Sequence, residues 1–168
     1  MSRWLGIDHG AKRIGVAAGS TGDCIASPLK VISAVPPQPA IDQIIRLAKE
    51  YDVAGIVVGW PLNMDDTQGP QAALAREMAV KLAKASGLDV RMWDERLSSF
   101  TADQSIAGLY TRDQRKTRQD AVAAAVILED FLKADGPAVA PRAVDVQLSD
   151  AKAAKGKRGR GGEGERGR

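Results

Sequence analysis

Trp4-Leu5-Gly6-Ile7-Asp8-His9-Gly10-Ala11-Lys12-Arg13-Ile14-Gly15-Val16-Ala17-Ala18-Gly19 reads as two apolar strands, Trp4 to Asp8 and Ile14 to Gly19, joined by a turn short enough for a hairpin. A third strand is expected from Ser27 to Ile32, and the Pro36-Pro37-Gln38-Pro39 stretch then breaks the chain. Ile41, Ile44, Ile45 and Ala48 recur at helical spacing up to Tyr51. Ile56-Val57-Val58, closed by Gly59, is the continuous apolar run of a strand buried on both faces, and a loop from Trp60 to Gly69 follows. Pro70 suits a first helical position and Gly87 a C-terminal cap, so a second helix is expected between them. Val90 to Asp94 reads as a fifth strand, Ser99 to Tyr110 as a third helix and Asp120 to Ala134 as a fourth. This order describes an α/β sheet that begins antiparallel and finishes parallel.

The 168 residues, 44% of them hydrophobic, suffice for one core and hence one domain, placed at residues 1–136. No apolar run approaches the roughly 20 residues needed to span a bilayer, and the N-terminus enters a strand at once, so no membrane association and a cytoplasmic location are expected. Cys24 and His9 are the sole cysteine and histidine, which excludes a Cys/His zinc centre; any metal must be held by oxygen. The net charge of +3 is unevenly placed: residues 151–168 carry seven Lys or Arg and two Glu, leaving 17 basic and 19 acidic groups in the body. The glycine-rich tail, placed at residues 137–168, is expected to be disordered, either as a phosphate tether or as a solubilising segment.

Three acids are candidates for chemistry. Asp8 closes a buried strand, at the end where open α/β sheets place their ligands, although a turn Asp bonding the Gly10 amide is an equal reading. Glu95 lies in Trp93-Asp94-Glu95-Arg96, just past a strand; alternation lets only one of Asp94 and Glu95 face a site unless the strand has ended, and Glu95 is favoured for its longer arm, with Asp94 the less favoured ligand or a partner for Arg96. Asp120 precedes Ala124, Ile127, Leu128 and Phe131 at helical offsets, on the core-facing side. Thr117-Arg118-Gln119-Asp120 also fits a capping box, which would make Asp120 a helix-start residue. Three carboxylates within about 5 Å would repel pairwise by about 3 kcal/mol at an effective dielectric near 20. Divalent cations reverse that sign, and two Mg²⁺ or Mn²⁺ ions about 4 Å apart are a usual device for phosphodiester cleavage.

Together these residues resemble the YqgF/RuvX family, RNase H-like nucleases related to Holliday junction resolvases. The resemblance covers roughly residues 3 to 134 and rests on Leu5-Gly6-Ile7-Asp8 with Gly10-Ala11-Lys12-Arg13-Ile14-Gly15, Gly59-Trp60-Pro61-Leu62-Asn63-Met64, Gly69-Pro70-Gln71-Ala72, Asp94-Glu95-Arg96, and Asp120 before an alanine-rich helix. It implies an RNase H-like fold, a five-stranded mixed sheet with helices on both faces. It further implies a two-metal endonuclease that processes the 5′ end of pre-16S ribosomal RNA, resolves branched DNA, or both, with acids at Asp8, Glu95 and Asp120. His9 departs from the family pattern, which has an apolar residue or proline there; it either bonds a phosphate or lines the turn.

Lys12, Arg13, Asn63 and Arg96, with Arg112, Arg115, Lys116 and Arg118 before Asp120, are the candidate nucleic-acid contacts, although the last run also reads as a solvated loop. With 4% aromatic residues, recognition should favour backbone shape over base stacking. Two other functions compete. An ATP phosphotransferase of the actin and sugar-kinase type would use Gly10 to Gly15 as a phosphate cradle, but the chain is short for a second lobe and lacks a second Asp-x-Gly hairpin. A non-catalytic nucleic-acid module would not need all three acids. A resolvase acting on a two-fold symmetric junction would be a homodimer, whereas an RNA-processing enzyme could act alone.

Overall fold

The hairpin and the apolar strands assemble into one sheet in a computed structural model that describes residues 1–62, 65, 69–95 and 112–146, with 112–119 described by backbone alone. In chain order the elements are β1 (Arg3–His9), β2 (Arg13–Ser20), β3 (Ala26–Ser33), α1 (Pro37–Glu50), β4 (Gly55–Trp60), α2 (Pro70–Ser86), β5 (Asp89–Asp94), α3 (Arg112–Lys133) and α4 (Gly136–Val139). Strand order is β3-β2-β1-β4-β5. The hairpin pairs β1 with β2 antiparallel, Asp8 opposite Gly15, while β1 with β4 and β4 with β5 are parallel. The expected mixed five-stranded α/β sheet is the one found.

Alternation along the strands sorts side chains into two cores. Leu5, Ile7, Ile14, Val16, Ile56, Val58, Val90 and Met92 pack with Ile41 and Ile44 of α1 and Met78 and Leu82 of α2. Trp4, Ala17, Val57 and Trp93 face the other way, against Ala124, Leu128 and Phe131 of α3. Phe131 packs tilted against Trp4 at 5.0 Å and edge-on against Trp93 at 5.8 Å. Helices therefore cover both faces.

Glycines let α3 lie very close to the sheet. A Cβ on Gly6 would stand 2.7 Å from Leu128 Cβ and 2.8 Å from the Ala124 carbonyl oxygen, and one on Gly15 would collide with the Asp120 backbone. That approach sets the height of Asp120 over β2.

Three boundaries differ from the sequence reading. The proline stretch opens α1 instead of preceding it, because a proline in the first turn removes an N–H that has no partner there. The helix carrying Asp120 begins at Arg112, so Asp120 lies two turns inside it and the capping-box reading fails. Residues 112–119 lack a helix breaker but also lack an apolar stripe, which hid those turns.

Order also continues past Gly136, where the sequence pattern fades. Ala140, Ala143 and Val146 are buried, the Pro141 carbonyl accepts the Met92 N–H at 2.9 Å, and Arg142 bridges Arg91 on the edge strand β5. This segment shields an otherwise open sheet edge. Truncation after Gly136 is expected to destabilise the fold by about 3 kcal/mol relative to truncation after Asp150, from lost apolar burial and edge pairing. Urea midpoints of the two truncated chains check this. The expected helix at Ser99–Tyr110 and the tail from 147 onward lie outside the described residues, as do Asn63 and Arg96.

Candidate active site

Asp8 is the last α3-facing residue of β1, and its carboxylate is largely buried. Glu95 follows directly on β5, and alternation from Trp93 sets its side chain on the α3 face. The bare surface of Gly59 makes that possible: a Cβ there would lie 2.5 Å from Glu95 Oε1 and 2.7 Å from Ile127 Cδ1. Glu95 and Asp8 are hydrogen-bonded to each other. Asp94 belongs to the opposite side by strand alternation, sharing the face of Met92 and pairing in register with Trp60.

Two acids that share a hydrogen bond must share a proton. Burial, then the Asp120 charge, pushes Asp8 up to about 6, against the opposing effect of its bond to Glu95. Burial, the Asp8 charge, the bond to Asp8 and the Asp94 charge push Glu95 up to about 7. Burial and mutual charge therefore favour one proton held between the two, and they titrate as a pair.

Both folded-state values lie above the unfolded ones, so the pair favours folding fully below about pH 4, and that contribution is lost as pH rises through 6 to 7. In EDTA, Asp8→Asn is expected to match the wild type in stability near pH 4 and to exceed it by about 1–3 kcal/mol at pH 8. Urea denaturation across that range measures the difference, and a pH-independent difference rejects the coupled pair.

Asp120 faces the same side of the sheet, but Arg13 Nε donates to its Oδ2 at 2.9 Å. Among the described residues, no three acidic, histidine or cysteine side chains stand close enough as placed to hold an ion jointly. The structure thus brings Asp8 and Glu95 into contact, with Asp120 near enough to act on Asp8 electrostatically but held by Arg13. The donor set nevertheless fits a hard divalent cation. It offers carboxylate oxygens alone, two of the carboxylates being buried neighbours whose charged forms burial and mutual repulsion disfavour, and Gly59 makes the room that lets Glu95 reach the site.

Lys12 is exposed at the hairpin tip, and Arg13 is the partner of Asp120 rather than a free basic group. The Gly10 N–H donates to the Arg13 carbonyl at 2.8 Å, which removes it from any phosphate cradle of the kinase kind. Arg112, Arg115, Lys116 and Arg118 lie on the first two turns of α3, leading to Asp120.

His9 is buried on the α1 and α2 side, back to back with Asp8, and lines the core there. Gln71 Nε2 donates to its Nδ1 at 2.9 Å and to its carbonyl oxygen at 2.7 Å, tying the end of β1 to the start of α2. Burial pushes the imidazole pKa down, and acceptance at Nδ1 places the ring proton on Nε2. Sequence reasoning gave Gln71 no role, although it stood in the Gly69-Pro70-Gln71-Ala72 motif. It also missed Gly59 and Gly15 as space-makers and the ion pair of Arg13 with Asp120, which no local spacing encodes.

A mixed sheet in this order, with acids at the ends of β1 and β5 and on the crossing helix α3, defines an RNase H-like domain of the nuclease class. More narrowly, the chain belongs to the RuvX family, whose description is Holliday junction resolvase and whose model matches residues 2–134. A relative from Chloroflexus aurantiacus is 44% identical over 131 residues, covering 77% of this chain and 86% of the relative. One from Anaeromyxobacter sp. (strain K) is 43% identical over 139 residues, covering 80% and 99%. Both are named pre-16S rRNA nucleases as a provisional assignment. Among solved structures, T. thermophilus RuvC in complex with a Holliday junction substrate shares the fold, with a TM-score of 0.53 at 14% identity over 84% of this chain and 99% of that one.

Proposed function

We propose that the chain is a divalent-metal-dependent endonuclease that hydrolyses phosphodiester bonds of structured RNA, acting in the cytoplasm on the 5′ end of pre-16S ribosomal RNA. The observation that carries this reading is the hydrogen-bonded Asp8 and Glu95 pair, raised in pKa and set on the same sheet face as Asp120. Family membership and the names of relatives at 43–44% identity support the substrate.

Asp8, Glu95 and Asp120 would hold Mg²⁺ or Mn²⁺, as two ions. When bound, such ions lower the pKa of water and neutralise charge on a phosphate undergoing in-line displacement. The chain's own contribution is placement. Asp8 and Glu95 would serve as carboxylates once deprotonated, Gly59 makes room for the Glu95 side chain, and the close packing of Gly15 on α3 fixes Asp120. Lys12, with Asn63, Arg96 and the basic start of α3, would bind flanking phosphates and fix the strand by its backbone. The seven basic residues of 151–168 would add a salt-dependent attraction.

Branched DNA is the second reading, favoured by the family description, and it would call for two copies on a two-fold symmetric junction. Cleavage of a 5′-extended 16S precursor and of a four-way junction in Mn²⁺ separates the two. Preferential cutting of the RNA is the expected result; cutting of the junction alone, with paired symmetric nicks, would reassign the substrate.

A further inference from the structure

The guanidinium of Arg13 sits where a positive charge is needed most. Arg13, Gly15 and Ala17 share the α3 face of β2, and Gly15 is paired with Asp8, so Arg13 stands one step beyond Asp8 on the same face. Its Nε lies 2.9 Å from Asp120 Oδ2, with the arginine side chain 40% exposed and that of Asp120 27% exposed. The ion pair offsets the charge of one of three neighbouring carboxylates, and the other two are hydrogen-bonded to each other. The contact also holds Asp120 with Arg13 instead of with Asp8 and Glu95.

Resting on the metal-dependent reading above, we propose that Arg13 is a resident counter-ion for Asp120 that a divalent cation displaces, so that loading of the carboxylates frees the guanidinium for a nucleic-acid phosphate. In the unloaded site Arg13 offsets Asp120; in the loaded site Asp120 would turn to the cation and release Arg13, whose side chain is already 40% exposed. A guanidinium suits this exchange, since it stays charged at any working pH and bonds carboxylate and phosphate equally well. Arg13 is on this account a positioning residue in the unloaded protein and a substrate contact in the loaded one.

The test measures Mn²⁺ binding to the full chain by calorimetry, without nucleic acid. Removing a competing, partly exposed ion pair by Arg13→Gln is expected to tighten Mn²⁺ binding about threefold to tenfold. Arg13→Lys, which keeps the charge, is expected to stay within about twofold of the wild type. A second readout is the Arg13 Nε–H resonance, assigned by its loss in Arg13→Lys. It should move to the position of solvent-exposed arginines as Mg²⁺ saturates the protein, and it reports on the intact chain even if Arg13→Gln folds poorly. Unchanged or weaker Mn²⁺ binding by a folded Arg13→Gln protein, or a resonance that does not move, overturns the proposal. Asp8→Asn distinguishes this failure from that of the underlying site. If Asp8→Asn weakens Mn²⁺ binding while Arg13→Gln does not tighten it, only the counter-ion role falls; if Asp8→Asn changes nothing, both fall.

Discussion

Asp8→Asn is expected to lower Mn²⁺-dependent cleavage by at least about 10³-fold, equivalent to about 4 kcal/mol of transition-state stabilisation, while nucleic-acid binding changes little. Asn keeps the shape of the side chain but offers a neutral amide where a cation needs a charged oxygen donor. The same substitution should make the metal-free protein more stable at pH 8, because it removes a buried charge that the fold carries at a cost. Loss of activity together with a gain in stability is the signature of a residue kept for function. A merely structural Asp8, bonding the turn, would give the opposite pairing: a less stable protein with retained activity. The Gly10 N–H, which such a turn residue would bond, is already engaged by the Arg13 carbonyl. Initial rates on the precursor RNA and urea curves in EDTA measure the two halves of this expectation.

The second large effect concerns a residue without a side chain. Gly15→Ala is expected to destabilise the protein by about 3–5 kcal/mol, near the upper end for overpacking, since its Cβ would meet the backbone of α3 at Asp120 rather than a flexible side chain. Relief would require α3 to lift from β2, which would carry Asp120 away from Asp8 and lower activity as well. Gly87→Ala provides the contrast. Gly87 holds φ +71 at the end of α2 with open space around it, so a Cβ there is strained only by its backbone conformation, at about 1–2 kcal/mol. Denaturant midpoints for both variants check the ranking, and a Gly15→Ala protein within 1 kcal/mol of wild type would refute the close approach.

Much of the architecture was legible because period and punctuation agree in this chain. The Trp4 to Gly19 hairpin, the apolar run before Gly59, and Pro70 and Gly87 at the ends of α2 each carry a local physical reason. The misplaced boundaries share a different cause. Pro36 to Pro39 and Arg112 to Gln119 lack apolar periodicity, and the helices there are continued by packing elsewhere in the same element. Ala140, Ala143 and Val146 were overlooked because a short apolar segment against a sheet edge has no period of its own.

At the site, the three acids were readable as strand-end and helix-face residues, but their relations were not. Glu95 over Asp94 depends on β5 turning Trp93, and hence the residue two further on, toward α3 beside Gly59, and the Arg13 to Asp120 pair joins residues 107 apart in sequence. Both are tertiary facts. His9 shows the reverse case, in which alternation alone places it on the face opposite Asp8 and thus away from the chemistry.

The central claim, that these carboxylates form a metal-dependent cleavage site, is tested most directly by anomalous diffraction at the manganese edge from crystals grown with Mn²⁺. The expected result is manganese ligated by Asp8, with Glu95 and Asp120 completing the site and Arg13 withdrawn from Asp120. Manganese bound elsewhere on the chain, with Asp8 and Glu95 still hydrogen-bonded to each other, would contradict it.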